Sequence, residues 1–213
     1  MPLYTTDALI LRSYKLGESD RIVVFLTRDR GKKRGVAKNA RQSRRRFGGA
    51  LEPLTCGRVA YMERERRDLV RVDYIEPTRS PLAAADGDAL NYVGYFAELL
   101  DEWAQEADPN EALFRLGASM VEAMAVGVPI ERLARYFEYW LLRLQGVYEA
   151  DERISLDAKA FLDAARTSSP FTLGELTVSP QTLRELEAMH CSLISMHLEK
   201  DLKSVRVLRE MRR

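Results

Sequence analysis

Apolar and polar positions divide the chain into two regimes. Over the first 76 residues the apolar positions come in short runs bounded by turn chemistry. Ala8-Leu9-Ile10-Leu11 is followed by Gly17-Glu18-Ser19-Asp20, then by the β-branched and aromatic stretch Arg21 to Thr27, then by the turn Asp29-Arg30-Gly31. Lys33 to Ala37, Gly57 to Glu63 and Leu69 to Ile75 predict three more strands. In the last, Leu69, Arg71, Asp73 and Ile75 alternate with Val70, Val72, Tyr74 and Glu76, a pattern only partly of period two that leaves its register open. Five short strands in under 80 residues predict a small antiparallel barrel, because closure removes the sheet edges. A strand-only sandwich is the alternative.

Pro77 and Pro81 mark a boundary, after which the period becomes helical. From Asp88, the residues Leu90, Val93, Ala97, Leu100 and Ala104 keep helical spacing, as do Leu113, Leu116, Met120 and Met124. Ile130, Leu133, Phe137, Leu141 and Leu144 do so between Pro129, placed where a helix begins, and Gly146, placed where one ends. Ser155 caps a predicted helix to about Arg166, Ser179-Pro180 starts a long one to about Glu199, and a last helix follows Asp201. The expected architecture is therefore α+β: a five-stranded barrel over 1–79, then an all-α domain over 80–213.

Charge changes this picture. The total is +1, yet residues 28–46 hold ten Lys or Arg against one acid, Asp29, so the remainder carries −8. The cations Lys32, Lys33, Arg34, Lys38, Arg41, Arg44, Arg45 and Arg46 repel one another unless a polyanion neutralises them. Glycines 31, 35, 48 and 49 interrupt the run, no helical stripe passes through it, and its arginines suit bidentate grip on phosphate. On a small barrel this pattern points to nucleic acid rather than to a solvated loop. Phe47, directly after three arginines, is the candidate for stacking on a base, whereas Tyr61 and Tyr74 are expected to plug the barrel.

Other chemistry finds little support. There is no Gly-x-Ser-x-Gly, no phosphate-binding loop ending in Lys-Ser/Thr and no His-Glu-x-x-His, so no enzyme is expected. Asp86 and Asp88 suit a helix start better than a metal site. Cys56 and Cys191 need not pair, and His190 and His197 share an apolar helix face with Leu183, Leu186 and Leu193, as core residues do; no cofactor or metal is expected. No run of about 18 apolar residues exists. The opening MPLYTTDALI lacks the pattern of a secretion signal, so the expected location is cytoplasmic, in association with the nucleoid.

Several stretches resemble the bacterial recombination mediator family RecO. They are Gly17-Glu18-Ser19, Thr27-Arg28-x-x-Gly31, Val36-Ala37-Lys38-x-Ala40-Arg41 and Arg46-x-Gly48-Gly49-Ala50-Leu51-Glu52-Pro53, with Leu202-Lys203-Ser204 near the other end. The helical segments Tyr95 to Leu100 and Arg135 to Glu138 fit more loosely. The resemblance implies an OB-fold followed by a helical domain, binding of single- and double-stranded DNA, and annealing of complementary strands. It also implies work with RecR to load RecA onto strands covered by single-stranded DNA-binding protein. Arg135 matches the family position whose arginine helps hold the acidic, Phe-ended tail of that protein, with Arg132 beside it and Leu133, Phe137 and Trp140 as expected pocket walls. The four-cysteine zinc module of many members is missing between Gly146 and Ser155 and beyond, which implies a zinc-free variant. A protein-recruiting scaffold and an RNA-associated factor are the alternative functions.

Overall fold

The computed structural model describes residues 2–63, 68–83, 87–149 and 154–211. Five strands, β1 (Leu3–Leu16), β2 (Asp20–Thr27), β3 (Lys32–Ala37), β4 (Cys56–Met62) and β5 (Val70–Arg79), close in the order β1-β2-β3-β5-β4. All neighbours are antiparallel except β3 and β5, whose parallel pairing (Gly35 opposite Val70, Ala37 opposite Val72) completes the ring. A one-turn helix, α1 (Arg44–Phe47), lies between β3 and β4. The helices α2 (Gly87–Trp103), α3 (Glu111–Ala125), α4 (Ile130–Leu144), α5 (Leu156–Thr167), α6 (Pro180–Leu198) and α7 (Lys203–Met211) follow. The expected α+β layout is thus observed, a ring of five strands followed by helices.

The run Ala8-Leu9-Ile10-Leu11 is apolar throughout because β1 is buried on both faces. Ala8 and Ile10 enter the barrel interior with Val23, Phe25 and Val59, while Leu9 and Leu11 join Val24 and Leu26 in a second core shared with the helices. The close approach of barrel and helices depends on Gly117 of α3. A β-carbon there would stand 2.7 Å from a Leu9 methyl and 2.8 Å from one of Leu100. Gly31, at φ +67°, lets the β2–β3 turn lie against the backbone of Asp108, where a side chain has no room.

The ambiguous pattern of the last strand has a physical cause. The pairing of β4 with β5 slips between Ala60, opposite Tyr74, and Tyr61, opposite Val72. This bulge turns Ile75 inward and leaves Tyr74 38% exposed. Of the two tyrosines expected to plug the barrel, only Tyr61 does so, stacked edge-on against Phe25. Asp88 lies in the first turn of α2, and Asp86 falls outside the described residues. Asn110, Ser155 and Ser179 each cap a helix by accepting a backbone N–H. Cys56 and Cys191 are free; burial pushes their thiols up to about 12 and about 11. Among the described residues no helix is long and apolar enough to cross a membrane.

Candidate nucleic-acid interface

The structure divides the basic run into two halves of different character. In the first half each cation has a carboxylate. Arg28 binds Glu111 of α3 at 2.9 Å, and Arg30 lies 3.8 Å from Asp29 and over the ring of Tyr4. Lys33 binds Glu63 at 2.8 Å, and Arg34, half exposed, stands 3.9 Å from Glu106. Lys32 is the most committed: its ammonium donates to the Asp101 carbonyl at 2.6 Å and to its carboxylate at 3.1 Å. Its backbone also bonds Gln105 and Ala107, so Lys32 ties β3 to the end of α2. With its side chain 15% exposed, Lys32 is a structural clamp rather than the free phosphate ligand that the sequence suggests.

The described cations of the second half have no such compensation. Among the described residues no carboxylate lies within ion-pair distance of Lys38, Arg41, Arg45 or Arg46. Lys38, Arg41 and Arg45 are exposed. Arg41 donates to the Glu18 carbonyl at 2.8 Å, which fixes the segment against the β1–β2 turn. Arg46 bonds the Lys38 carbonyl at 2.7 Å and the Ser43 hydroxyl at 3.0 Å, closing the loop on itself while its charge stays unneutralised. Arg44 opens α1, and its side chain lies outside the described residues.

Phe47 is 2% exposed and belongs to the barrel core with Ala50 and Leu51. It cannot stack on a base. It anchors the basic loop instead, with the Arg46 guanidinium 5.0 Å above its ring. The spacing of Phe47, Ala50 and Leu51 is an apolar stripe of one helical turn, a signal of burial that outweighs the three preceding arginines. The basic strand also has a neighbour from β5, Arg71. The parallel pairing of β3 with β5 sets it opposite Val36, beside the basic strand. A contact between segments 35 residues apart leaves no local signal.

A second cluster lies on α4. Arg132 and Arg135 line a cleft of about 440 Å³ with Tyr92, Val178, Leu183 and Arg184. Arg132 donates to the Gly174 carbonyl at 2.8 Å. Arg135 is 2% exposed and donates to the buried Glu138 at 2.8 Å, with Glu187 at 3.6 Å. Glu138 also accepts from Tyr95 at 2.8 Å and faces Nδ1 of the buried His190 at 3.0 Å. Burial, then Glu138, holds the Tyr95 hydroxyl well above its ordinary pKa. The three expected pocket walls are elsewhere, with Leu133 fully buried in the core. Phe137 is fully buried against Phe96 at 4.7 Å, and Trp140 donates to the Ala165 carbonyl of α5. Apolar walls for the cleft come from Val178 and Leu183 instead. His190 is in the core as expected, and His197 stacks on Trp103. Among the described residues no group of three or more His, Cys, Asp or Glu could hold a metal ion.

Two segments of the chain match known family descriptions. Residues 1–81 match the family described as recombination protein O N terminal, and residues 84–149 match recombination protein O C terminal. The DNA repair protein RecO of Koribacter versatilis is 42% identical over 145 residues, 68% of this chain and 59% of the relative. That of Anaeromyxobacter sp. (strain K) is 40% identical over 141 residues, 65% of this chain and 55% of the relative. Against these two the matched part spans under two thirds of the relative's length. The RecO of Geobacter metallireducens is 31% identical over 245 residues, 97% of each chain. With both family segments matched in order and a relative aligned along nearly the whole length, the chain belongs to the recombination protein O family.

Proposed function

We propose that this chain is a DNA-binding recombination mediator in DNA repair. It binds single- and double-stranded DNA, anneals complementary strands and, with RecR, promotes loading of RecA onto strands covered by single-stranded DNA-binding protein. The observation that carries the reading is the uncompensated half of the basic run, held on a barrel by Phe47 and Arg41. Lys38, Arg41, Arg44, Arg45 and Arg46 neutralise backbone phosphates, two like-charged strands then approach at lower electrostatic cost, and base pairing completes the union. No covalent bond is made or broken in this reading. A division into a nucleic-acid-binding barrel over 1–79 and a helical domain over 80–213 belongs to it, as does a cytoplasmic, nucleoid-associated location.

The cleft on α4 supports a partner within the same reading. Arg132 and Arg184 beside Val178 and Leu183 offer cations for carboxylates and an apolar wall for a ring, next to the lining acids Glu131 and Glu187, while Arg135 is committed to the buried Glu138. That suits the acidic, aromatic-ended tail of single-stranded DNA-binding protein.

The test is annealing of complementary strands coated with single-stranded DNA-binding protein. The triple change Lys38→Ala/Arg41→Ala/Arg45→Ala is expected to slow annealing by an order of magnitude or more, as loss of about three charge-assisted contacts requires. Unchanged annealing overturns the reading. RNA bound in preference to single-stranded DNA of equal length supports an RNA-associated factor, and capture of RecR without DNA binding at low salt supports a scaffold.

A further inference from the structure

A second cationic surface lies at the other end of the chain. Residues 200–213 carry six Lys or Arg and two acids, a net +4. Within α7, Lys203, Arg206 and Arg209 recur every third residue and line one cleft of about 290 Å³ against α6, opposite Cys191 and Ser195, with Asp201 at its edge. Lys203, Arg206 and Arg209 are exposed, and among the described residues no carboxylate lies within ion-pair distance of any of the three. Lys200, just before the helix, differs in being paired with Glu102. Burial pushes the Cys191 thiol in this cleft up to about 11.

A chain of contacts leads from the basic segment to this row. Arg41 holds the β1–β2 turn through the Glu18 carbonyl, and Arg21 on β2 donates to Ser13 at 2.8 Å. Ser13 and Tyr14 form one wall of a groove whose far wall is Lys203. Lys203 then leads into the α6–α7 cleft. Of the acids bordering this path, Asp20 accepts the Asn39 amide, Glu98 accepts the amides of Lys203 and Ser204, and Glu18 stands exposed at the turn. Arg12 in the groove is paired with Asp101 at 2.7 Å.

We propose that α7 is a second polynucleotide contact: Lys203, Arg206 and Arg209 hold the phosphates of a strand other than the one held by Lys38, Arg41, Arg45 and Arg46. The inference rests on the DNA-binding reading and deepens it, since annealing needs two strands at one molecule. An acidic peptide is the less suited occupant. The cations recur at every third position of α7, in a row about 9 Å long rather than converging on one point.

The experiment counts bound strands on the full chain by native mass spectrometry, using oligothymidylate of about 8 nucleotides, within the range of one small barrel's site. The parent chain is expected to take two strands. Arg206→Ala/Arg209→Ala takes one, as does Lys38→Ala/Arg41→Ala/Arg45→Ala, and the combined variant takes none. Arg206→Lys/Arg209→Lys restores the second strand, which separates loss of charge from loss of fold. Annealing by Arg206→Ala/Arg209→Ala falls by about tenfold while the first strand's affinity is kept. Two strands retained by Arg206→Ala/Arg209→Ala, or annealing unchanged, overturns this inference and leaves the basic segment's role intact. So does loss of acidic-peptide capture with strand number unaltered. No strand bound by the parent chain defeats the DNA-binding reading itself, and this inference with it.

Discussion

The division of the basic run gives a quantitative expectation for salt. Two triple variants remove the same net charge. Lys38→Ala/Arg41→Ala/Arg45→Ala takes cations with no carboxylate partner, and Arg28→Ala/Lys33→Ala/Arg34→Ala takes cations facing Glu111, Glu63 and Glu106. Lys32 is left in place because its loss would release the end of α2. If the five cations of 38–46 each neutralise one phosphate, log affinity for a single strand falls with log salt at a slope of about −3.5, at 0.7 per contact. The first triple leaves two contacts and a slope of about −1.4. Between 50 and 200 mM salt the parent chain then weakens by roughly 100-fold and the first triple by roughly 7-fold. The second triple keeps a slope within about 0.7 of the parent, because its cations already have carboxylate partners. Fluorescence anisotropy of a labelled oligonucleotide across a salt series reads both. Equal slopes for the two triples would refute the reasoning, since net charge alone, not the pairing seen in the fold, would then set affinity.

Two further expectations concern the helices. Glu138→Ala leaves the Arg135 guanidinium and His190 buried without their shared carboxylate, and should cost about 3–5 kcal/mol; a thermal unfolding midpoint lowered by less than about 2 °C would show that the network is solvated. Glu98 binds the first amides of α7, and although burial acts against its charge, the Ser204 and Lys203 bonds hold its pKa below the usual 4.5. A depressed carboxylate stabilises fully above the unfolded pKa and loses this as pH falls through the folded value. Protection of the Ser204 amide, relative to its intrinsic exchange rate at each pH, should therefore begin to fall only below about pH 4.5, and an onset near pH 6 would rule Glu98 out as its cause.

Most elements were legible because their signals are local. The helix predicted between Pro129 and Gly146 is observed as Ile130–Leu144, and the strand predicted over 33–37 begins one residue earlier. Strand β1 runs from Leu3 to Leu16, far beyond its apolar centre, because its polar ends pair with β4 and with β2 where solvent reaches one face. The bulge that exposes Tyr74 is set by the partner strand, so alternation alone could not reveal it. The basic segment was visible as composition, but its division was not. Asp101, Glu106 and Glu111 come to Lys32, Arg34 and Arg28 only through packing of barrel on helices. On α4 the two arginines share a cleft, while helical spacing sends Phe137 into the core and Trp140 towards α5.

The near-neutral total charge follows from the same division. Outside residues 28–46 and 200–213 the chain carries a net −12. Part of that acid is spent inside the molecule, where Asp101, Glu111 and Glu63 answer the first half of the basic run and so fasten barrel to helices and strand to strand. The rest repels a polyanion from most of the surface. In the DNA-binding reading proposed above, a strand approaching such a body is repelled less the closer it lies to the exposed cations of 38–46 and of α7, so the acidic remainder would sharpen where a strand settles as well as balancing the total. Making the whole surface basic would tighten binding, yet it would also let a strand lie anywhere. Two strands held at unrelated places do not meet, and annealing depends on their meeting.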